Sequence, residues 1–542
     1  MQISQRVIAL CSMESGPTVR TILAAALLLF GCSPSDDTPG PVLNRGNGPD
    51  IKSLDPAFIT GTWEGAVVGD MVMGLTTEGP RGEAVAGAAV RWEVSPNGLT
   101  WTFHLRDHRW SDGVPVTAAD FVFAWRRVID PKTAAPYAYN LWIVKNAHAI
   151  SAGLLPPSAL GIHAQDDKTL QIELEHPAAY LPELMDHQVA WPIPRHAYLK
   201  YGEAWTKPRN YVGNGPYIVK TWIPGDHIAL VKNPLFYDAA HVRIGTANYY
   251  QTGNSESGLR QFRAGELDTL DPFPNTQIDW MRAHIPQSLR VAPYLGVAYF
   301  AMNQSRPPLT DSRLREVINL AYNREIVTGR VHRIGETPAY RVVPPGVANY
   351  PGTAALWFKD QPSDQRLAKA RELMRSMGYG PSRRLRLSYL TTVNPDSVHN
   401  AAAFQAMMAK VNIDIEIVTM EGQVFQQMVQ RRAFDIASPT WIADFNDASN
   451  FLDLLRSGSG ENYGGYSNPR YDALLDAAEA TADPMARGVK LQEAEALALS
   501  DYAWVPAYFM VTRDLVQPAV KGWLPNPRDV NRTRWLWIDK PR

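Results

Sequence analysis

The residues best placed to do chemistry lie in FDIASPTWIADFNDASNF, Phe434 to Phe451. Asp444 sits between Trp441 and Phe445, in a run that reads as a strand turning into a loop. Aromatic neighbours exclude water and lower the local dielectric, so a carboxylate among them calls for a positive partner. The competing reading makes Asp444 the cap of a helix in DASNFLDLL, a role that Asn446 or Asp447 can fill instead. Catalytic signatures are missing: no G-x-S-x-G, no H-E-x-x-H, no P-loop and no G-x-G-x-x-G occurs. His104 and His108 are close, but they flank a strand end with no third ligand nearby and read as surface histidines. The glycine-rich SGSGENYGGY, Ser457 to Tyr466, could cradle an anion but lacks the lysine and helix start of a phosphate loop, so it reads as a loop. These residues suit binding better than turnover.

Elements that could position them alternate along the chain. LTWTFHLR, Leu99 to Arg106, has the period of two of a half-buried strand. Thr117 and Asp120 then form a capping-box pair ahead of a helix whose apolar face is Phe121, Val122, Trp125, Val128 and Ile129. A second helix carries Leu314, Val317, Ile318 and Ala321 on one face. A third buries Leu367, Ala370, Met374 and Met377 and stops at Gly378. Ile413 to Val418 alternates as a strand. Asn468 caps a further helix with Pro469 at its first position. The pattern is α/β with more than one lobe.

At 542 residues the chain is too long for one core and suggests roughly two to four domains. Its 45% hydrophobic and 20% charged content is globular, and a net charge of -1 speaks against a nucleic-acid partner. The 16 Trp and 22 Tyr fill cores, and some could line a cleft for a polar ligand. With Cys11 and Cys32 both near the N-terminus, no disulfide is expected in the main body and no cofactor or metal is expected.

The N-terminal segment reads as an address. Arg20 precedes TILAAALLLFGC, whose apolar run Ile22 to Phe30 is too short to span a bilayer and suits a secretory signal. Leu29-Phe30-Gly31-Cys32 resembles the lipobox of bacterial lipoproteins, although Phe30 is bulkier than usual there. The expectation is a signal peptide over 1–32 ending at a lipidated Cys32, a flexible tether over 33–42, and Met1 or Met13 as the start.

Several longer stretches resemble the oligopeptide-binding branch of the extracellular solute-binding proteins, family 5, which serve ATP-driven importers. They are SLDPAFITGTWE, TWTFHLRDHRWSDGVPVTAADFVFAWRRVIDPKTAAPYAY, NYVGNGPYIVKTW, FRAGELDTL, VAYFAMNQSRPPLTDSRLREVINLAYNREIV and FDIASPTWIADFNDASNFLDLL. SLDPAFITGTWE is expected to hold the family's opening strand and loop. The resemblance implies a two-lobed periplasmic binding protein fold, type II and cluster C-like, with three domains. Domain I would comprise 43–71, 196–294 and 511–542, domain II 72–195, and domain III 295–510. It also implies a monomer that captures oligopeptides and delivers them to the permease subunits of an ABC importer from the periplasm or cell envelope.

The resemblance further assigns a site. Asp444 would pair with the peptide's N-terminal ammonium, with Trp441 beside it. Main-chain groups near Ser438 to Thr440 and near Thr60 to Thr62 would grip the peptide as an added strand. Tyr137 would contact the ligand. His399 would help receive the C-terminal carboxylate, but Ser438 stands where the branch usually carries arginine, removing a bidentate fork. Gly422 would enlarge a side-chain pocket. Alternatives are a same-fold receptor for murein peptides or a non-peptide ligand, and a secreted peptidase.

Overall fold

The computed structural model describes residues 40–539. Cys11, Met13, Cys32 and most of the expected tether lie outside them. Among the described residues no helix is long and apolar enough to cross a membrane.

One sheet gathers distant parts of the chain. Its seven strands run in the order Leu289–Arg290, Asp514–Val516, Thr269–Leu270, Val42–Gly46, Thr246–Tyr250, His227–Lys232 and Tyr217–Ile223. Val42–Gly46 lies parallel to both of its neighbours. A second seven-stranded sheet follows the order Thr337–Pro338, Trp504–Val511, Pro293–Met302, Ile436–Ala437, Leu385–Thr392 and Ile413–Met420, with Thr440–Ile442 also paired to Pro293–Met302. Pro293–Met302 is buried from Leu295 onward, which matches its nearly unbroken apolar sequence. A four-stranded antiparallel sheet holds Ala89–Val94, Thr100–Leu105, Thr169–Glu173 and Ile162–Ala164.

The chain leaves the first sheet for the second between Arg290 and Pro293 and returns between Val511 and Asp514. These two crossings touch. Thr512 N donates to Ala292 O at 2.8 Å, and Ala292 N donates to Thr512 Oγ1 at 3.2 Å. Two short, paired connections are what a hinge between lobes requires.

Each lobe has its own apolar core. Phe300, Tyr389 and Phe404 centre one beneath the second sheet. Trp110, Phe121 and Trp125 belong to another, shared by the first and four-stranded sheets. Phe445 joins this second core although its neighbours in sequence belong to the first.

Local chemistry sets the helix ends. Asp120 reaches back to the Thr117 amide at 2.9 Å, opening the helix Ala118–Ile129, which buries the expected apolar face. The helix Ser363–Ser376 closes through Gly378 at φ 81, with Gly378 N on Arg375 O and Tyr379 N on Met374 O, a Schellman pair. Asn468 caps Pro469–Glu479 as expected.

Two expectations need correction. Ser53 to Gly61 holds no strand; the opening strand is Val42–Gly46, and the helix Thr62–Met71 follows the loop. His108 is buried rather than on the surface: its Nδ1 meets Arg106 O at 3.1 Å, and desolvation lowers its pKa to about 4.

Candidate functional site

Asp444 follows Thr440–Ile442, in the turn before the helix Ser449–Leu452. It caps nothing. The residue before the N-cap Ala448, Asp447, serves the helix start instead: its Oδ1 accepts from Ser449 N at 2.9 Å and its Oδ2 pairs with Arg487 at 2.6 Å. Asn446 is occupied elsewhere, accepting from Ala348 N.

The Asp444 side chain is only 10% exposed. Its Oδ2 accepts from Asn140 Nδ2 at 3.2 Å, and its own amide donates to Asn450 Oδ1 at 3.2 Å. Trp441 Nε1 donates to the same Asn450 Oδ1 at 2.8 Å, so one asparagine orients both residues. His187 Nε2 lies 3.6 Å from Asp444 Oδ1, too far for a hydrogen bond. His187 Nδ1 accepts from Val189 N, so the neutral ring carries its proton on Nε2. Burial lowers the His187 pKa to about 3, so it brings no positive charge at neutral pH.

Burial raises the Asp444 pKa to about 6, and the amides of Asn140 and Asn450 pull it only partway back. The nearest guanidinium, Arg528, faces other groups: Nη1 is 2.6 Å from Asp186 and 3.8 Å from Glu183, while Nη2 reaches only the Asp444 carbonyl at 3.3 Å. Among the described residues, none supplies Asp444 with a charged partner at neutral pH.

The main chain beside it is half open. Ala443 N donates to Leu295 O and Tyr299 N donates to Pro439 O, with Trp441 facing Val297 between them. Antiparallel alternation then turns the peptide groups of Thr440 and Ile442 to the opposite edge, and Thr440–Ile442 has no second neighbour strand among the described residues. Ser438 is less available: its amide donates to Leu390 O at 3.3 Å and its Oγ shares a proton with Thr391 Oγ1 at 3.2 Å.

In the loop before the helix Thr62–Met71, the amides of Thr60 and Gly61 donate to Glu64 Oε2 at 3.0 and 3.1 Å. Thr62 opens its helix, where early amides lack intrahelical acceptors. Tyr137 sets its hydroxyl 3.5 Å from Thr60 O and its ring edge on His187, centroids 5.2 Å apart. Asp444, Trp441, Thr440, Tyr137, Thr60 and Thr62 are thus linked through short chains of contacts. His399 stands apart, exposed on the helix Pro395–Ala409, and no side-chain contact joins it to Ser438 among the described residues. Gly422 begins its helix with open space around a notional Cβ.

Sequence reading missed Asn140, His187, Asn450, Tyr180 and Arg528. Asn450 lies within the quoted segment, six residues after Asp444, and was the one with a usable signal. Asp271, Asp514 and Asp529 bring carboxylate oxygens within 4.8 Å of one another beside the crossings; in geometry this trio could hold a cation.

The family model of the bacterial extracellular solute-binding proteins, family 5 (middle), matches residues 83–463. The chain is 33% identical to the periplasmic oligopeptide-binding protein OppA of Salmonella typhimurium, over 97% of this chain and 100% of the relative. The crystal structure of Haemophilus influenzae OppA in complex with RPPGFSPFR superposes with a TM-score of 0.84 at 33% identity, covering 92% of this chain and 99% of that one. The Escherichia coli murein tripeptide binding protein MppA gives a TM-score of 0.85 at 30% identity, with coverages of 92% and 99%. The fold is the two-lobed periplasmic binding protein fold of type II, and the chain belongs to the bacterial extracellular solute-binding proteins of family 5.

Proposed function

We propose that this protein captures oligopeptides between its lobes by their N-terminal ammonium and passes them to the permease subunits of an ATP-driven importer. One observation carries the reading: Asp444 is a nine-tenths buried carboxylate without a charged partner at neutral pH. A buried ligand ammonium would supply that partner. The open edge of Thr440–Ile442 fits an extended peptide added as a strand, which grips main chain and tolerates varied side chains. The names of the similar proteins support the same ligand class.

The three-domain division at 43–71, 196–294 and 511–542, at 72–195, and at 295–510 belongs to the proposal; the separate sheets support it. An envelope location with a lipid on Cys32, a monomeric state and the lack of catalysis belong to the proposal as well. A second reading, a murein peptide as ligand, is favoured by the similarity to MppA and by Ser438 in place of the branch's arginine. Calorimetric titration with tri- to pentapeptides, each with a free and an acetylated N-terminus, tests the main reading. Micromolar binding that acetylation abolishes supports it. Equal binding of both forms removes the ammonium–Asp444 pair.

A further inference from the structure

Asn140 is a buried residue on the one-turn helix Ala138–Leu141. Its amide donates to Tyr137 O at 3.1 Å, and the next residue, Leu141, is buried in the core shared by the first and four-stranded sheets. From this fixed position Asn140 Nδ2 reaches across to the other lobe and donates to Asp444 Oδ2 at 3.2 Å. Two further contacts come from the same side. Arg528 Nη2 donates to the Asp444 carbonyl at 3.3 Å, and Phe445 is buried in the core that holds Leu141. The facing lobe thus grips the carboxylate, the carbonyl and the next side chain at once. Asn450, the other amide beside Asp444, comes from its own segment. With Oδ2 taken, Oδ1 is left without a hydrogen bond among the described residues, and His187 Nε2 stands 3.6 Å from it.

We propose that Asn140 is a positioning residue: it holds Oδ2 of Asp444 from the opposite lobe, so that Oδ1 is presented to a ligand ammonium at full strength only when the lobes are closed. This rests on the peptide-receptor reading above. An amide that donates to a carboxylate favours its ionised form, the form that pairs with an ammonium. Because this donor arrives with closure, opening removes it, and recognition of the peptide N-terminus is coupled to the closed state.

Loss of the donor should push the Asp444 pKa above its value of about 6. No other group around the carboxylate imitates that change. His187 stays neutral down to about pH 3, and burial keeps the hydroxyls of Tyr137 and Tyr139 protonated. Arg528 is committed to Asp186, and Glu461 acts only by adding negative charge.

The test is calorimetry and stopped-flow tryptophan fluorescence on the full chain, stripped of ligand, with tri-alanine as the probe. Asn140→Leu keeps the volume without the donor, and Asn140→Ala removes both. In both variants tri-alanine should dissociate about tenfold faster at pH 8, with association within about twofold of the wild type. The pH below which affinity falls should rise by about one unit. A lost packing contact would weaken binding without moving that pH. An unchanged pH in both variants would overturn the proposal, as would a loss carried by the association rate alone. If the wild type does not bind tri-alanine, the peptide-receptor reading falls and this inference with it. If the wild type binds and both variants match it, only the role of Asn140 falls.

Discussion

Tyr180 stacks face to face on Phe445, with ring centroids 4.7 Å apart and planes 6° from parallel. The two rings come from opposite lobes, and Arg487, paired with Asp447, lies 5.0 Å from the centroid of the Tyr180 ring. The stack is a closure contact immediately beside Asp444. A double-mutant cycle with Tyr180→Ala and Phe445→Ala should show a coupling of about 0.5–1.5 kcal/mol in ligand affinity. Strict additivity of the two substitutions would show that the lobes close without it.

Asp444 sets both affinity and its pH dependence. Asp444→Ala should lose about 3–5 kcal/mol of peptide binding, the loss expected when a buried ammonium goes unpaired. In the free protein its pKa stands at about 6, and a bound ammonium would lower it. Binding therefore requires a carboxylate that is already ionised above pH 6. Affinity should hold above that value and fall about tenfold per unit below it, until the pKa of the bound form is reached. His187, neutral down to about 3, contributes nothing in this window. Calorimetry from pH 4.5 to 8 reads the profile, which should flatten in Asp444→Ala.

Arg528 ties both lobes together through Asp186 and the Asp444 carbonyl. Asp186 is fully buried, its Oδ1 has no partner, and its pKa is raised to about 7 by desolvation against the pull of Arg528. Arg528→Met should cost about 3 kcal/mol in urea unfolding, the low end of the range for a broken buried pair, because Asp186 can take up a proton. Adding Asp186→Asn should recover most of the loss. A loss unchanged in the double variant would place the effect outside this pair.

The hinge-side carboxylates predict an unusual slope. Asp514 is buried and its carboxyl is pushed well up, with Asp529 beside it raised to about 8. Both folded values exceed the unfolded one near 4, so the folded state holds the extra protons. Their contribution to stability is fully present below pH 4 and is lost as pH rises toward 8. Asp529→Asn should therefore stabilise the protein at pH 7 to 8, by on the order of 1 kcal/mol, and reduce the pH slope of Tm. Equal Tm profiles of the two proteins over pH 5 to 8 would contradict this.

Local signals made the helices legible. Thr117 with Asp120, Gly378 and Asn468 act within a few residues: the first pair and Asn468 each start a helix and Gly378 stops one, as their chemistry requires. The isolation of Asp444 among aromatics was legible for the same reason. Its neighbours were not, because Asn140 lies 304 positions away and reaches it only through the closed fold. Arg528 is 342 positions from Asp186. Burial of His108 was equally hidden, since a histidine after a strand looks the same whether the next layer covers it or not.

The touching crossings at Ala292 and Thr512 have a consequence for how this chain can be rebuilt. Everything between them is, in topology, one very long excursion whose two ends meet as hydrogen-bonded neighbours. Joining those ends requires only a short bridge, and the entropy of closing a short bridge is small. The neck is thus a natural place to splice: the excursion could be excised, exchanged with that of a relative, or reopened as new termini without stretching either strand.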